Sequence, residues 1–97
     1  MKGCPVVLEF EWDEVKVVEN LKNHKVRFEE AKTVFNDPLL LTFPDPEHSD
    51  HEHRSISIGI SSHSRILLIV HTSRGGKVRI ISSRKATAKE RKLYETY

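Results

Sequence analysis

The sequence predicts an α+β domain: a small antiparallel β-sheet with two N-terminal helices and one C-terminal helix. Three observations carry this. Apolar residues recur at helical spacing in two stretches between positions 13 and 36. Three segments of strand character follow at close intervals from Glu52 onward, joined by short links of Ser, Gly and polar residues. A charged segment with a helix-capping signature closes the chain. Ninety-seven residues permit one core, so residues 1–97 are read as a single domain.

The elements follow in order. Val6 to Trp12 alternates, with Val6, Leu8, Phe10 and Trp12 on one side, the period of a half-buried strand. Asp13 suits an N-cap, and Val15, Val18 and Leu21 then form a helical stripe. Phe28 to Asn36 reads as a second helix through Phe28, Ala31, Val34 and Phe35, ended by Asp37-Pro38. Leu39–Phe43 is expected as a short strand and Pro44–Asp50 as a loop. Glu52–Ser61, Arg65–Thr72 and Lys77–Ser83 are strands, linked through Ser61–Ser64 and Ser73–Gly76. Thr87 and Glu90 form a capping box for a last helix whose apolar stripe, near Ala88 and Leu93, is narrow. The run of strands between helices places the helices on one face of the sheet.

Charge divides the chain. Residues 1–53 hold six Lys/Arg against twelve Asp/Glu, whereas residues 54–97 hold ten against two. Such a split points to a polyanionic partner for the second half, or to neutralisation of one half by the other. The longest apolar run, Ile66 to Val70, is too short to span a membrane. The opening MKGCPVVLEF lacks a signal-peptide core, so a cytoplasmic location is expected. Cys4 is the sole cysteine, which excludes an intrachain disulfide.

The stretch PEHSDHEHR concentrates His48, His51 and His53 with Asp50, residue types that ligate metals. The spacing lies on a loop and no Cys pair completes it, so no metal or cofactor is assigned. Alternation instead places Glu52, Arg54, Ile56, Ile58 and Ile60 on one strand face, and Arg65, Leu67, Ile69 and His71 on another. On the third strand, Arg79, Ile81 and Ser83 alternate with Val78, Ile80, Ser82 and Arg84. Each strand is apolar with a polar group near one end. This pattern is either strand-end solubility or a groove lined by Arg, His and Glu. Arginines stabilise the spread charge of a phosphodiester transition state. RNA supplies its own nucleophile, the 2′-OH, and Glu52 and His71 are the residue types for base and acid. A β-sheet module that binds RNA or protein without cutting fits the same residues.

Three blocks in this chain are specific: FEWDEVKVVENLKNHKVRFEEAKTVFNDP, HEHRSISIGIS, and RILLIVHTSRGGKVRIISSRKATAKERKLYE. Together they resemble the BrnT family of bacterial type II toxins, over about Leu8 to Tyr94. The resemblance implies a RelE-like fold and metal-independent endoribonuclease activity that inhibits translation. It also implies a BrnA-like, DNA-binding antitoxin, of ribbon-helix-helix type, that forms an operon-repressing heterotetramer with the toxin. Carried onto matching positions, it implies Glu52, Arg54, His71, Arg79 and Arg84 as catalytic residues, with Lys85, Arg65 and Tyr94 binding RNA. His24 also matches the pattern, although a helix-end His often serves local carbonyls. Lys25 stands where the family usually has glycine.

Overall fold

The computed structural model describes residues 8–45 and 53–96. The chain runs β1 (Phe10–Glu11), α1 (Glu14–His24), α2 (Phe28–Ala31), a 3-10 segment (Lys32–Asn36), β2 (Leu41–Pro44), β3 (Arg54–Ile60), β4 (Ile66–Arg74), β5 (Lys77–Lys85) and α3 (Ala88–Thr96). The strands form one sheet in the order β1-β5-β4-β3-β2. β2 to β5 pair antiparallel. β1 is shorter than the alternation from Val6 implied among the described residues, and it runs parallel to β5, with Phe10 opposite Val78. A parallel pair needs a long crossover, and here the whole of the chain between β1 and β5 provides it.

Capping sets the first helix. Asp13 lies in extended geometry and its Oδ1 accepts from the Val15 N–H at 2.8 Å. At the other end Lys25 adopts left-handed geometry (φ 60°, ψ 33°) and donates its N–H to Leu21 O at 3.0 Å. A side chain there crowds the following carbonyl, at a cost of about 1 kcal/mol that glycine avoids. Lys25→Gly is therefore expected to raise the melting temperature by roughly 5 °C. A calorimetric scan showing no rise would mean that the left-handed turn is not held.

The second helix is split. After one turn it tightens to 3-10, where the Thr33 hydroxyl donates to Glu30 O at 2.6 Å and accepts from the Ser62 N–H at 2.9 Å. This brings the segment close over β3. A Cβ at Gly59 would lie 2.8 Å from Val34 Cγ1 and 3.0 Å from Leu40 Cδ1, so only glycine fits beneath it.

The core lies between this helical layer and one face of the sheet. Val26, Phe28, Ala31 and Val34 pack on Leu67, Ile69 and Ile80, all buried. Phe10 meets Phe35 at 5.3 Å between ring centroids, and Trp12 meets Phe28 edge-on at 5.8 Å. Asn20 completes the sheet. Its Oδ1 accepts from the Ser83 N–H at 2.9 Å, and its Nδ2 donates to Ser83 O at 2.8 Å and Val26 O at 2.9 Å. One buried amide thus does for β5, beyond the end of β1, what a neighbouring strand's backbone would do.

Not all helices share a face. α1 and α2 cover the core face, whereas α3 lies across the other, where Glu90 and Leu93 line a groove with Ile58, Leu68 and Val70. The expectation of helices on one side fails because the second half of the sheet is apolar on both faces: Ile58 and Leu68 also need cover. No helix among the described residues is long and apolar enough to cross a membrane.

Candidate active site

The face under α3 carries the candidate arginines Arg54, Arg79 and Arg84, and a bulge decides that all three share it. Val70 pairs with Ser82 but His71 pairs with Ile80, so Ile81 is an extra residue in β5. Strict alternation separates Arg79 from Arg84. The bulge shifts the phase and returns both to the same face, in register with Thr72 and Leu68 respectively.

A charged row crosses this face at one end. Arg54 pairs with Thr72, Thr72 with Arg79, and Arg79 with Glu11. Asp45 extends the row beyond β2, its N–H donating to Arg54 O at 2.9 Å. The order is therefore Asp45, Arg54, Thr72, Arg79, Glu11, with two guanidinium groups flanking a buried threonine and an acid at each end. Thr72 Oγ1 donates to His53 O at 2.9 Å, which ties the start of β3 to β4. Arg54 and Arg79 sit two strand spacings apart, about 10 Å between Cα atoms, within the joint reach of two arginine side chains. Arg79 gives one of its five N–H donors to Glu11, at 3.2 Å.

From Asp45, at one end of this row, a groove of about 390 Å³ runs toward α3. Ile56, Ile58, Leu68 and Val70 form its floor, with Asp45, His24, Ser82, Arg84 and Glu90 around it. Arg84 is gripped by both oxygens of Glu90, at 2.8 and 2.9 Å. This fork lowers the pKa of Glu90 and raises that of Arg84. Glu90 also accepts from the Thr87 N–H at 2.8 Å, and Thr87 Oγ1 accepts from the Glu90 N–H at 3.2 Å. The predicted capping box is therefore formed, and its acid doubles as the counter-ion of Arg84.

The structure brings Arg54 and Arg79 together and sets Arg84 apart. Leu68, level with Arg84, is four residues from Thr72, so about 13 Å separates Arg84 from the row. His71 is elsewhere. Its ring stands edge-on to Phe35 at 5.0 Å, and its Nε2 meets Ser57 Oγ at 2.7 Å, which in turn meets Thr42 Oγ1 at 2.8 Å. These partners belong to the helix-covered face, opposite the arginines. Burial pushes the pKa of His71 down to about 4, so the ring is neutral at ordinary pH.

Arg65 pairs with buried Glu30 through Nε at 2.9 Å and through Nη2. Tyr94 donates to Asp37 Oδ2 at 2.5 Å and anchors α3 to the end of the 3-10 segment. Burial and that carboxylate push the tyrosine pKa up to about 12. Lys85 is exposed at the end of β5. Glu52, His48, His51 and Cys4 lie outside the described residues. His24 and Asp45 line the groove, although neither stands out in the sequence as a groove residue. The helix-end position of His24 pointed to local capping, and Asp45 sat in what reads as plain loop.

The family described as "Ribonuclease toxin, BrnT, of type II toxin-antitoxin system" matches residues 12–90. The chain belongs to the BrnT family. The match spans every element that builds the row and the groove except β1 and the last turns of α3. The fold agrees with a BrnT crystal structure, described as that of the Brucella abortus ribonuclease toxin, at a TM-score of 0.61 and 21% identity, covering 84% of this chain and 99% of that one. No curated protein matches the sequence. As a BrnT-family ribonuclease toxin of a type II system, the chain has an antitoxin as its implied partner.

Proposed function

We propose that this BrnT-family chain is a metal-independent endoribonuclease with a RelE-like mode of action, cutting RNA at the Arg54–Arg79 row. The observation that carries the reading is that row: two guanidinium groups in register across three strands, beside an open groove. A phosphodiester set between them has its two non-bridging oxygens faced by forked donors, which suits the charge that builds in a pentacovalent transition state. The ribose 2′-oxygen attacks phosphorus, the bond to the 5′-oxygen breaks, that oxygen takes a proton from water, and a 2′,3′-cyclic phosphate and a 5′-hydroxyl result. Glu52, two residues before Arg54 in sequence, is the base that takes the 2′ proton. His71 acts as a positioning residue, its neutral ring bracing β3 against β4 through Ser57. Arg84 binds RNA further along the groove.

In this reading translation stops when the chain acts alone. A BrnA-like, DNA-binding antitoxin blocks the basic half, and a heterotetramer of the two represses their shared operon. The charge of residues 54–97, ten Lys/Arg against two Asp/Glu, favours an acidic or helical cover.

The test is incubation of purified protein with RNA in excess EDTA. Cleavage that persists and leaves 2′,3′-cyclic phosphate ends is expected. Products with 5′-phosphate ends, or activity abolished by EDTA and restored by metal, would overturn the mechanism. Salt-dependent RNA binding without any cutting would instead support a binding module.

A further inference from the structure

We infer that the groove between the arginine row and α3 is a nucleobase slot that selects guanine, with Asp45 accepting from the base edge. This rests on the reading of the chain as an RNA-cleaving protein and names the base that stands beside the cut. The sheet register sets up the slot. Phe43 pairs with Ile56, Ile56 with Val70, and Val70 with Ser82. This second row shares the face of Arg54, Thr72 and Arg79 and lies two residues along β3 and β4, about 7 Å away. That is the span from a backbone phosphate to the base of its own nucleotide. A nucleotide held by its phosphate at the arginines therefore lays its base on Ile56 and Val70.

Burial marks the second row as open. One step further along the same face Ile58 and Leu68 are buried, whereas Ile56 and Val70 are only half-buried. Phe43, also half-buried, adds an aromatic ring to the row. Apolar and aromatic side chains of this kind hold a base without reading it. The groove, about 390 Å³, is at the lower end of the range for small-ligand pockets, about 300–1,000 Å³. A flat base suits that volume. An antitoxin helix, about 10 Å across with its side chains, needs a longer trough.

Asp45 supplies the selectivity. It is 6% exposed, lines the groove beside Arg54, and is fixed there by its N–H on Arg54 O at 2.9 Å. An ionised carboxylate only accepts, and it has about four lone-pair sites, so it serves a base edge alongside a partner of its own chain. Guanine carries two donors side by side, N1–H and the N2 amino group, on the Watson–Crick edge that single-stranded RNA leaves open. Adenine, cytosine and uracil each set an acceptor next to their donor, which faces a carboxylate with repulsion.

The test is cleavage, with enzyme in excess but below saturation, of a strand that has one 2′-hydroxyl and is otherwise 2′-O-methyl. The bases on the two sides of that position are varied in turn: guanine, inosine, adenine or none. On one side guanine is expected to be cut roughly 10–100-fold faster than adenine, the discrimination of a bidentate contact. Inosine, which lacks the amino group, should fall about tenfold below guanine. Asp45→Asn keeps the shape but sets a donor beside an acceptor, so the guanine-to-adenine ratio should collapse toward or below one. The ratio is read within one variant, so any change in Arg54 cancels. Val70→Phe fills the slot and should close the gap between the guanine and abasic strands, with its melting temperature checked alongside.

Equal wild-type rates for every base on both sides would overturn the slot, and a guanine preference unchanged in Asp45→Asn would overturn the role of Asp45. If no strand is cut, the ribonuclease reading falls by itself, and affinity for the fully 2′-O-methyl strand then reads the slot. Weaker binding when the guanine is removed supports it; equal binding refutes it. Base-blind cutting, with antitoxin binding lost in Val70→Phe, would give the groove to the protein partner.

Discussion

Replacing Glu30 with alanine is expected to lower the melting temperature by roughly 15 °C, a loss of about 3 kcal/mol for a domain of this size. Glu30 is the buried acid that joins the helical layer to the β3–β4 turn. Its carboxylate takes Arg65 Nε and Nη2, and it accepts from Ser61 Oγ at 2.6 Å. The Arg65 side chain is 32% exposed and Glu30 5%, so the pair is desolvated mainly on the acid side. The Arg65 hydrogen bond, outweighing burial, holds the pKa of Glu30 down to about 2 from 4.5. That difference corresponds to about 3 kcal/mol favouring the folded, ionised state. Glu30→Gln keeps the shape and the Ser61 bond and should lose less. A melting point unmoved by Glu30→Ala would show that the pair contributes nothing beyond its own desolvation.

The same pair sets the acid limit of the fold, together with His71. A depressed carboxylate gives stability that is complete above the unfolded pKa of 4.5 and is lost as pH falls toward 2. His71 acts earlier. Its unfolded form takes a proton near 6.5 and its folded form only near 4, so the unfolded chain binds more protons in that interval. Stability therefore declines as pH falls from 6.5 toward 4 through His71, then from 4.5 toward 2 through Glu30. Urea midpoints measured down this range should fall in both intervals. In Glu30→Gln the later fall should flatten, while in His71→Gln the earlier one should.

Local signals were legible and long-range pairings were not. The Asp13 cap, the Thr87–Glu90 box, and the strands around Ile58, Ile69 and Ile80 follow from residues a few positions apart. The bulge at Ile81 carries no Gly or Pro to announce it, yet it decides that Arg79 and Arg84 share a face. Arg65 reads locally as a cation beside a strand, and its partner Glu30 is 35 residues away. Tyr94 finds Asp37 across 57 residues, a contact that anchors α3 and that the residue's place near the end of a charged helix does not announce. Alternation puts His71 on the face of Leu67 and Ile69, where the structure also has it. That this face is the covered one depends on the helices that pack there, which strand alternation alone does not show. For the same reason Arg54 and Arg79 emerge as partners only once β4 is seen to lie between their strands.

Arg79→Ala is expected to lower the single-turnover cleavage rate by on the order of 10²–10³-fold, the usual loss when a preorganised donor to a transition-state oxygen is removed. Arg79 is suited to that role because Glu11 takes one donor at 3.2 Å and leaves the rest of the fork for phosphate. Arg79→Lys keeps the charge but loses the fork and should fall between wild type and alanine. Arg84→Ala should behave differently. Its guanidinium is held bidentate by Glu90, so its removal strips the capping acid of its counter-ion and loosens α3. The expected cost appears in melting temperature and in KM, with a smaller change in the chemical step. His71→Gln, which keeps a partner for Ser57, should retain most of the rate if the ring only braces the sheet. Equal single-turnover losses for Arg79→Ala and Arg84→Ala would sink the row as the reaction centre, since Arg84 stands about 13 Å along the sheet with its fork held by Glu90.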